Sequence, residues 1–143
     1  MNMALDSIFG IAGTALNAQL TRMNATASNL ANAGTVSGTE KDAFRAKRPV
    51  FQALMDEQMT HSGAAYVGGV KVAKIADDTA PPQRVADPKN PLADKDGYVY
   101  KSNVSEVTEM VEMMAAARSY QNNVEVINTA RQLMMRTLDI TKA

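Results

Sequence analysis

The sequence predicts a mainly α fold, with a long helix at each end forming a coiled-coil-like core around a small irregular or β-stranded middle. Three observations predict it. Apolar residues recur at helical spacing over residues 1–34, and again over residues 103–143. The intervening residues 35–102 carry Pro, Gly and Asp-Gly breaks between short β-branched runs. The three ranges are read as an N-terminal axial helix, a middle region and a C-terminal axial helix.

In the first range, Phe9, Ala12, Leu16, Met23 and Leu30 follow a 3-4 spacing, with Gln19 and Thr26 filling the seam and Ile8, Ala15 and Ala27 beside it. Residues 1–39 carry only Asp6 and Arg22 as charges, so this helix can be enclosed without stranding ions. Asp6 or Ser7 is expected to cap its start, and Asn32 with Gly34 to end it. About 26 residues give roughly 39 Å of helix.

The middle begins with loop chemistry at Thr35-Val36-Ser37-Gly38-Thr39. Pro49 opposes helix, and Val50 to Met55 fits a strand or a short helix, with the strand preferred. Gly68 to Ile75 is the clearest strand, with Val70 and Val72 on one face. Ala80-Pro81-Pro82 and Asp87-Pro88-Lys89-Asn90-Pro91 break regular structure. Lys95-Asp96-Gly97 predicts a hairpin turn into the short strand Tyr98-Val99-Tyr100.

In the last range Met113, Ala117, Tyr120, Val124, Ile127, Met134 and Leu138 follow a 3-4 repeat broken only by Arg131. Asn103 with Glu106 forms a capping-box pattern. Glu106, Glu109 and Glu112 load the start, and Arg131, Arg136 and Lys142 the end, as the helix dipole favours. Some 36 residues give roughly 54 Å of helix. A compact chain of this size has a radius of gyration near 14–15 Å. A seam that long is not covered by the shorter helix alone, and uncovered apolar surface invites association.

Composition excludes several functions. With 15 basic and 15 acidic residues the net charge is zero, which gives no footprint for nucleic acid or an anionic membrane. There is no Cys, so disulfides, thiolate metal sites and Cys nucleophiles are excluded. No run approaches 18 apolar residues, so no membrane insertion is expected. Met1 to Gly13 lacks a basic n-region, so export, if it occurs, is expected to use no cleaved signal peptide.

The candidate sites are few. His61, the sole histidine, sits in a polar loop with no second ligand or relay partner, and reads as solvated. Asp94-Lys95-Asp96-Gly97 resembles part of a calcium loop, but the first and twelfth ligand positions fall on Leu92 and Asn103, so a turn is expected. Gly68-Gly69 precedes a strand rather than a helix, so it is no phosphate cradle. Lys41, Arg45, Lys47 and Arg48 read as a solvated or interface patch. The Met-rich run Glu109 to Met114 serves either a helix core or an adaptable partner surface. No carboxylate pair, Ser-His-Asp set or metal spacing stands out, so neither catalytic residues nor a cofactor is expected.

Two segments carry a family resemblance. Asn24-Ala25-Thr26-Ala27-Ser28-Asn29-Leu30-Ala31-Asn32 resembles the amino-terminal signature of flagellar axial proteins. Residues 109–129, from Glu109-Met110-Val111 to Ile127-Asn128-Thr129, resemble the carboxy-terminal helix of flagellar rod proteins. Between them Phe44-Arg45-Ala46-Lys47, Gly69-Val70-Lys71-Val72, Asn90-Pro91-Leu92-Ala93-Asp94 and Gly97-Tyr98-Val99 look like the proximal-rod members of that family. The chain is thereby identified as a member of the flagellar basal-body rod protein family. It departs from the pattern at Ser102-Asn103-Val104-Ser105, where the family usually shows Pro-Asn-Val-Asp, and over Leu54 to Val67.

The resemblance implies a non-enzymatic structural subunit without cofactor, secreted through the flagellar type III export apparatus. It implies assembly into the proximal rod, which crosses the periplasm as the first part of the drive shaft. The implied partners are proximal rod proteins B and F, distal rod protein G, the rod-to-ring adaptor and further copies of the chain. Combined with the helical seams, it places the assembly interface at Leu16, Met23, Asn29, Leu30 and Asn32 on the first helix and at Met113, Tyr120, Val124 and Ile127 on the second. The competing class is a self-contained helical-hairpin adaptor or chaperone, which would be fully folded alone.

Overall fold

A computed structural model describes residues 2–54 and 68–142. The order of elements is α1 (Asn2–Asn32), β1 (Val36–Ser37), β2 (Lys47–Ala53), β3 (Val70–Asp77), β4 (Gln83–Ala86), β5 (Tyr98–Lys101) and α2 (Glu106–Lys142). Two terminal helices therefore flank a small β-containing middle. The expectation for His61 lies outside the described residues, as do Met55 to Val67.

Helix α1 is longer than expected. It starts at Asn2, so Asp6 and Ser7 lie inside it and neither is its cap. Met3, Ala4 and Leu5 are good helix formers, and they extend the helix past the polar pair. The helix does end at Asn32, but Gly34 supplies no left-handed cap, since among the described residues only Gly68, Gly69 and Gly97 have positive φ. Instead the carbonyl of Asn32 accepts from the Thr35 N–H at 3.1 Å and from its hydroxyl at 2.7 Å.

The seam of α1 faces inward as the spacing implies. Ala12 and Thr26 are buried, and Phe9, Leu16, Gln19, Met23 and Leu30 are half-buried. Ile8 and Ala27, expected beside the seam, are exposed. Among the described residues, the buried apolar positions of the helices are small ones: Ala12, Ala18, Ala25, Ala116 and Ala130.

The chain gathers into two compact units: Met1–Thr21 with Val50–Lys74 and Ala115–Ala143, and Arg22–Pro49 with Ile75–Met114. In the first, the Val70 N–H donates to Thr14 Oγ1 at 3.2 Å, which ties the start of β3 to α1. Gly69 makes that approach possible, because its φ is +141° and a Cβ there would lie 2.9 Å from Thr14 Oγ1. Gly69→Ala should therefore destabilise the chain by about 1–3 kcal/mol, read as a lower urea midpoint with unchanged slope.

In the second unit a three-stranded sheet runs β1-β5-β4, and both pairings are antiparallel. β1 falls where loop chemistry was expected, with Val36 opposite Lys101 and Ser37 opposite Tyr100. β4 was not expected at all; every one of its residues is exposed, so it carries no burial alternation to read. β2 and β3 form a separate two-stranded sheet, close to the expected strands but displaced. The Asp-Gly turn is present, with Gly97 at φ +81° and its N–H donated to the Asp94 carbonyl at 3.0 Å. It is not a two-residue hairpin, since residues 87–97 separate β4 from β5. Asp94 Oδ1 accepts from the N–H groups of Asp96 and Tyr98, so this carboxylate shapes the turn.

The core of this unit is small: Ala33, Ala46 and Val104 pack together with Phe44 against them. Ser102, buried beside it, donates its hydroxyl to the Ala33 carbonyl at 2.7 Å. Helix α2 starts at Glu106 and is capped by Ser105, not by an Asn103–Glu106 box. The Ser105 hydroxyl accepts from the Thr108 N–H and hydroxyl at 3.5 and 3.0 Å. Asn103 is drawn away because it bridges two loops, accepting from the Ala46 N–H at 2.8 Å and donating to the Ala80 carbonyl at 2.8 Å.

Candidate functional site

The second unit is held by a polar cluster around Asn29, which sits on the buried face of α1. Its carboxamide pairs with the backbone of Lys47 in β2 as a neighbouring strand would: Oδ1 accepts the Lys47 N–H at 2.7 Å and Nδ2 donates to the Lys47 carbonyl at 3.0 Å. The second Nδ2 hydrogen goes to Glu109 Oε2 on α2 at 2.9 Å. One side chain thus joins α1, β2 and α2, with every one of its donors used.

Glu109 is fully buried, so its reading as a helix-dipole charge is incomplete. Its Oε1 lies 2.7 Å from Arg48 Nη1, an ionic contact whose angle is poor for a hydrogen bond. Arg48 also reaches Asp78 at 3.4 Å, and Arg22 pairs with Glu112. The Ala80 N–H donated to Asp78 holds that carboxyl below the usual carboxylate range; burial opposes this and Arg48 reinforces it.

The basic cluster is neutralised within the fold. Arg45 approaches Glu40 at 3.8 Å, Lys47 pairs with Asp77, and Arg48 is taken by Asp78 and Glu109. Among the described residues that leaves Lys41 as the one unpaired member of the cluster, which is no basis for binding a polyanion. Among the described residues there is no acidic or histidine cluster that could hold a metal, and no helix is long and apolar enough to cross a membrane.

The residues expected to carry assembly are all at least half-covered in the single chain. Leu16, Met23, Leu30 and Asn32 are half-buried on α1, and Asn29 is fully buried. Met113, Tyr120, Val124 and Ile127 are half-buried on α2. Asn32 donates its amide to the Ser28 carbonyl within its own helix at 2.8 Å.

The large exposed apolar side chains are different ones. On the first turns of α2, Val107 is 74% exposed, Met110 and Val111 54%, and Met114 65%. Their 3-4 spacing makes one stripe, opposite the line of buried Glu109 and Ala116. In the first unit a groove of about 380 Å³ is lined by Ile8 of α1 and by Val126, Ala130 and Leu133 of α2 among polar neighbours. Of the stripe, the sequence marks Met110 and Met114 through the Met-rich run. Val107 and the groove have no signal beyond apolar residues outside the main repeat.

Known proteins match this layout. A family described as "Flagella basal body rod protein" matches residues 9–37, which hold most of α1. One described as "Flagellar basal body rod FlgEFG protein C-terminal" matches residues 95–140, which hold β5 and most of α2. "Flagellar basal-body rod protein FlgC" of Escherichia coli O6:H1 is 50% identical over 138 residues, covering 96% of this chain and 98% of the relative. The protein of that name from Salmonella typhimurium is 49% identical over 138 residues, with the same coverage. That from Bacillus subtilis is 35% identical over 143 residues, covering 92% of this chain and 95% of its own length. Identity at this level over nearly the full length of both chains, with rod families matched at both terminal helices, means that the chain belongs to the FlgC family of flagellar basal-body rod proteins.

Proposed function

We propose that this chain is built into the proximal rod of the flagellar basal body through its two terminal helices. As a FlgC-family member it is a structural subunit of the basal-body rod and associates with other rod proteins. The observation that carries the helical mode of assembly is a coincidence of position. The rod-family matches fall on α1 and α2, and α2 is where the exposed apolar stripe lies.

In this reading the segments 1–34 and 103–143 supply the axial helices, and 35–102 meets neighbours. The seam residues Leu16, Met23, Asn29, Leu30, Asn32, Met113, Tyr120, Val124 and Ile127 keep the helices in register. All but the fully buried Asn29 are half-covered in the lone chain, and these complete coiled-coil packing once neighbouring helices arrive. Head-to-tail contacts that do not close on themselves extend a tube. Torque passes through many packed helices rather than one strong bond. The neighbours are rod proteins B, F and G, the rod-to-ring adaptor and further copies. The subunit reaches the periplasm through the type III export apparatus.

The test is restoration of swimming and of rods in cells lacking their own FlgC. The unaltered chain should restore both. Leu30→Asp and Val124→Asp should restore neither, because each puts a carboxylate into a helix seam that becomes dry on assembly. Motile cells carrying Val124→Asp would contradict the placement. A chain that folds fully, stays in the cytosol and supports no rod would favour the hairpin adaptor instead.

A further inference from the structure

The methionines of α2 fall into two classes. Met110 and Met114, one turn apart on the stripe, are 54% and 65% exposed, and Met135 is 55% exposed. Met113 and Met134, their immediate sequence neighbours, are half-buried, as is Met23 on α1. The chain has no Cys to intercept an oxidant, so thioether sulfur is the softest nucleophile it offers. Val107 and Val111, on the same stripe, offer no group that competes.

We infer that Met110 and Met114 are sites of oxidation by peroxide in the unassembled subunit, and that their sulfoxides block its addition to the rod. The inference rests on the rod-subunit reading for its second half only. In the reaction the sulfur lone pair attacks one peroxide oxygen, and the O–O bond breaks as the S–O bond forms. The departing hydroxide takes the proton and leaves as water. Sulfur loses two electrons and the peroxide gains them, with no further reactant needed.

The consequence follows from geometry. A sulfoxide is polar and strongly hydrated, so two of them one turn apart convert the centre of an apolar stripe into a wet one. Because the two side chains point away from the buried face, the change leaves the Asn29–Glu109 cluster and Ala116 untouched. The subunit stays folded but loses the surface. Once assembled, the same stripe is covered and the sulfurs are shielded, so sensitivity belongs to the free subunit.

The test uses the full-length purified chain with dilute hydrogen peroxide and tandem mass spectrometry over time. Met110 and Met114 should oxidise at least about fivefold faster than Met113, with Met135 ahead of Met134 by a similar factor. Met113 reacting as fast as Met114 would overturn the site assignment, whatever the role of the protein. In a second arm, treated and untreated chains are mixed with the other rod subunits and the sedimenting complex is measured. Treatment should abolish the complex for the natural sequence and spare it for Met110→Leu/Met114→Leu, which keeps the stripe apolar without sulfur. Full assembly of a subunit doubly oxidised at Met110 and Met114 overturns the inference while leaving the rod assignment standing. Failure of the untreated chain to assemble contradicts the rod assignment, and the assembly half of the inference falls with it.

Discussion

Asn29→Asp should destabilise the chain by about 3–5 kcal/mol at neutral pH, although it replaces one NH₂ group by an oxygen. The carboxamide is the only fit for its surroundings. It must accept one N–H, donate to one carbonyl and donate to the buried Glu109 carboxylate. An aspartate can accept but not donate, so the oxygen in place of Nδ2 would face both the Lys47 carbonyl and Glu109 with no proton between them. The introduced carboxyl, buried against the Glu109 carboxylate, has its own pKa raised, because burial and the neighbouring like charge both favour its neutral form.

The pH dependence then has a definite sign. A carboxyl whose folded pKa is raised above its unfolded value destabilises above the unfolded pKa, and the loss shrinks as pH falls and the introduced carboxyl takes up its proton. Urea titrations should therefore show a deficit for Asn29→Asp that is large at neutral pH and smaller near pH 5. A deficit independent of pH would mean that Asn29 acts by shape alone.

Met110→Lys/Met114→Glu should leave the fold intact and abolish rod assembly. Both side chains are more than half exposed, so little packing is lost. With Glu106 and Arg118 the change also creates alternating charges at four-residue intervals along the outer face of α2, Glu-Lys-Glu-Arg, a pattern that favours the helix by a few tenths of a kcal/mol per pair. Stability should stay within about 0.5 kcal/mol of the natural chain. The apolar stripe, however, becomes a charged one that cannot be enclosed without desolvating ions. Cells dependent on this variant should make folded, protease-resistant subunit and no rods. Normal swimming would remove the stripe from the assembly surface. The contrast with Val124→Asp is useful, since Val124 is half-buried and its replacement perturbs the lone chain too.

How far the sequence discloses these features depends on how local their causes are. The terminal helices follow from spacing within each, and Asn32 and Glu106 lie close to where end signals put them. The cap of α2 does not, because Asn103 is recruited by Ala46 and Ala80, which lie 57 and 23 residues away in sequence. Ser105 takes over one turn before the helix gains its tertiary contacts. β1 has two residues and β4 four exposed ones, too few and too polar for a period-two signal; their pairing with β5 makes them strands.

The polar cluster shows the same limit. Asn29 stands in the signature Asn24 to Asn32 and is read as an interface residue, yet its partners lie 18 and 80 residues away and it is fully buried in the chain. Glu109 looks like a favourable charge at a helix start, and only the approach of α1 and Arg48 reveals it as an ion held inside. The exposed stripe is partly legible: Met110 and Met114 belong to a Met-rich run, but whether that run faces inward depends on which side of α2 meets α1.

The most direct test of assembly through the terminal helices is hydrogen exchange with mass spectrometry on the lone chain and on the same chain in isolated basal bodies. Peptides spanning residues 2–32 and 106–142 should slow by at least tenfold on assembly, most in the stretch that contains Val107 to Met114. Equal protection of both helices along their whole length in the two states would contradict the account, since helices that gain no partners on assembly cannot be what builds the rod.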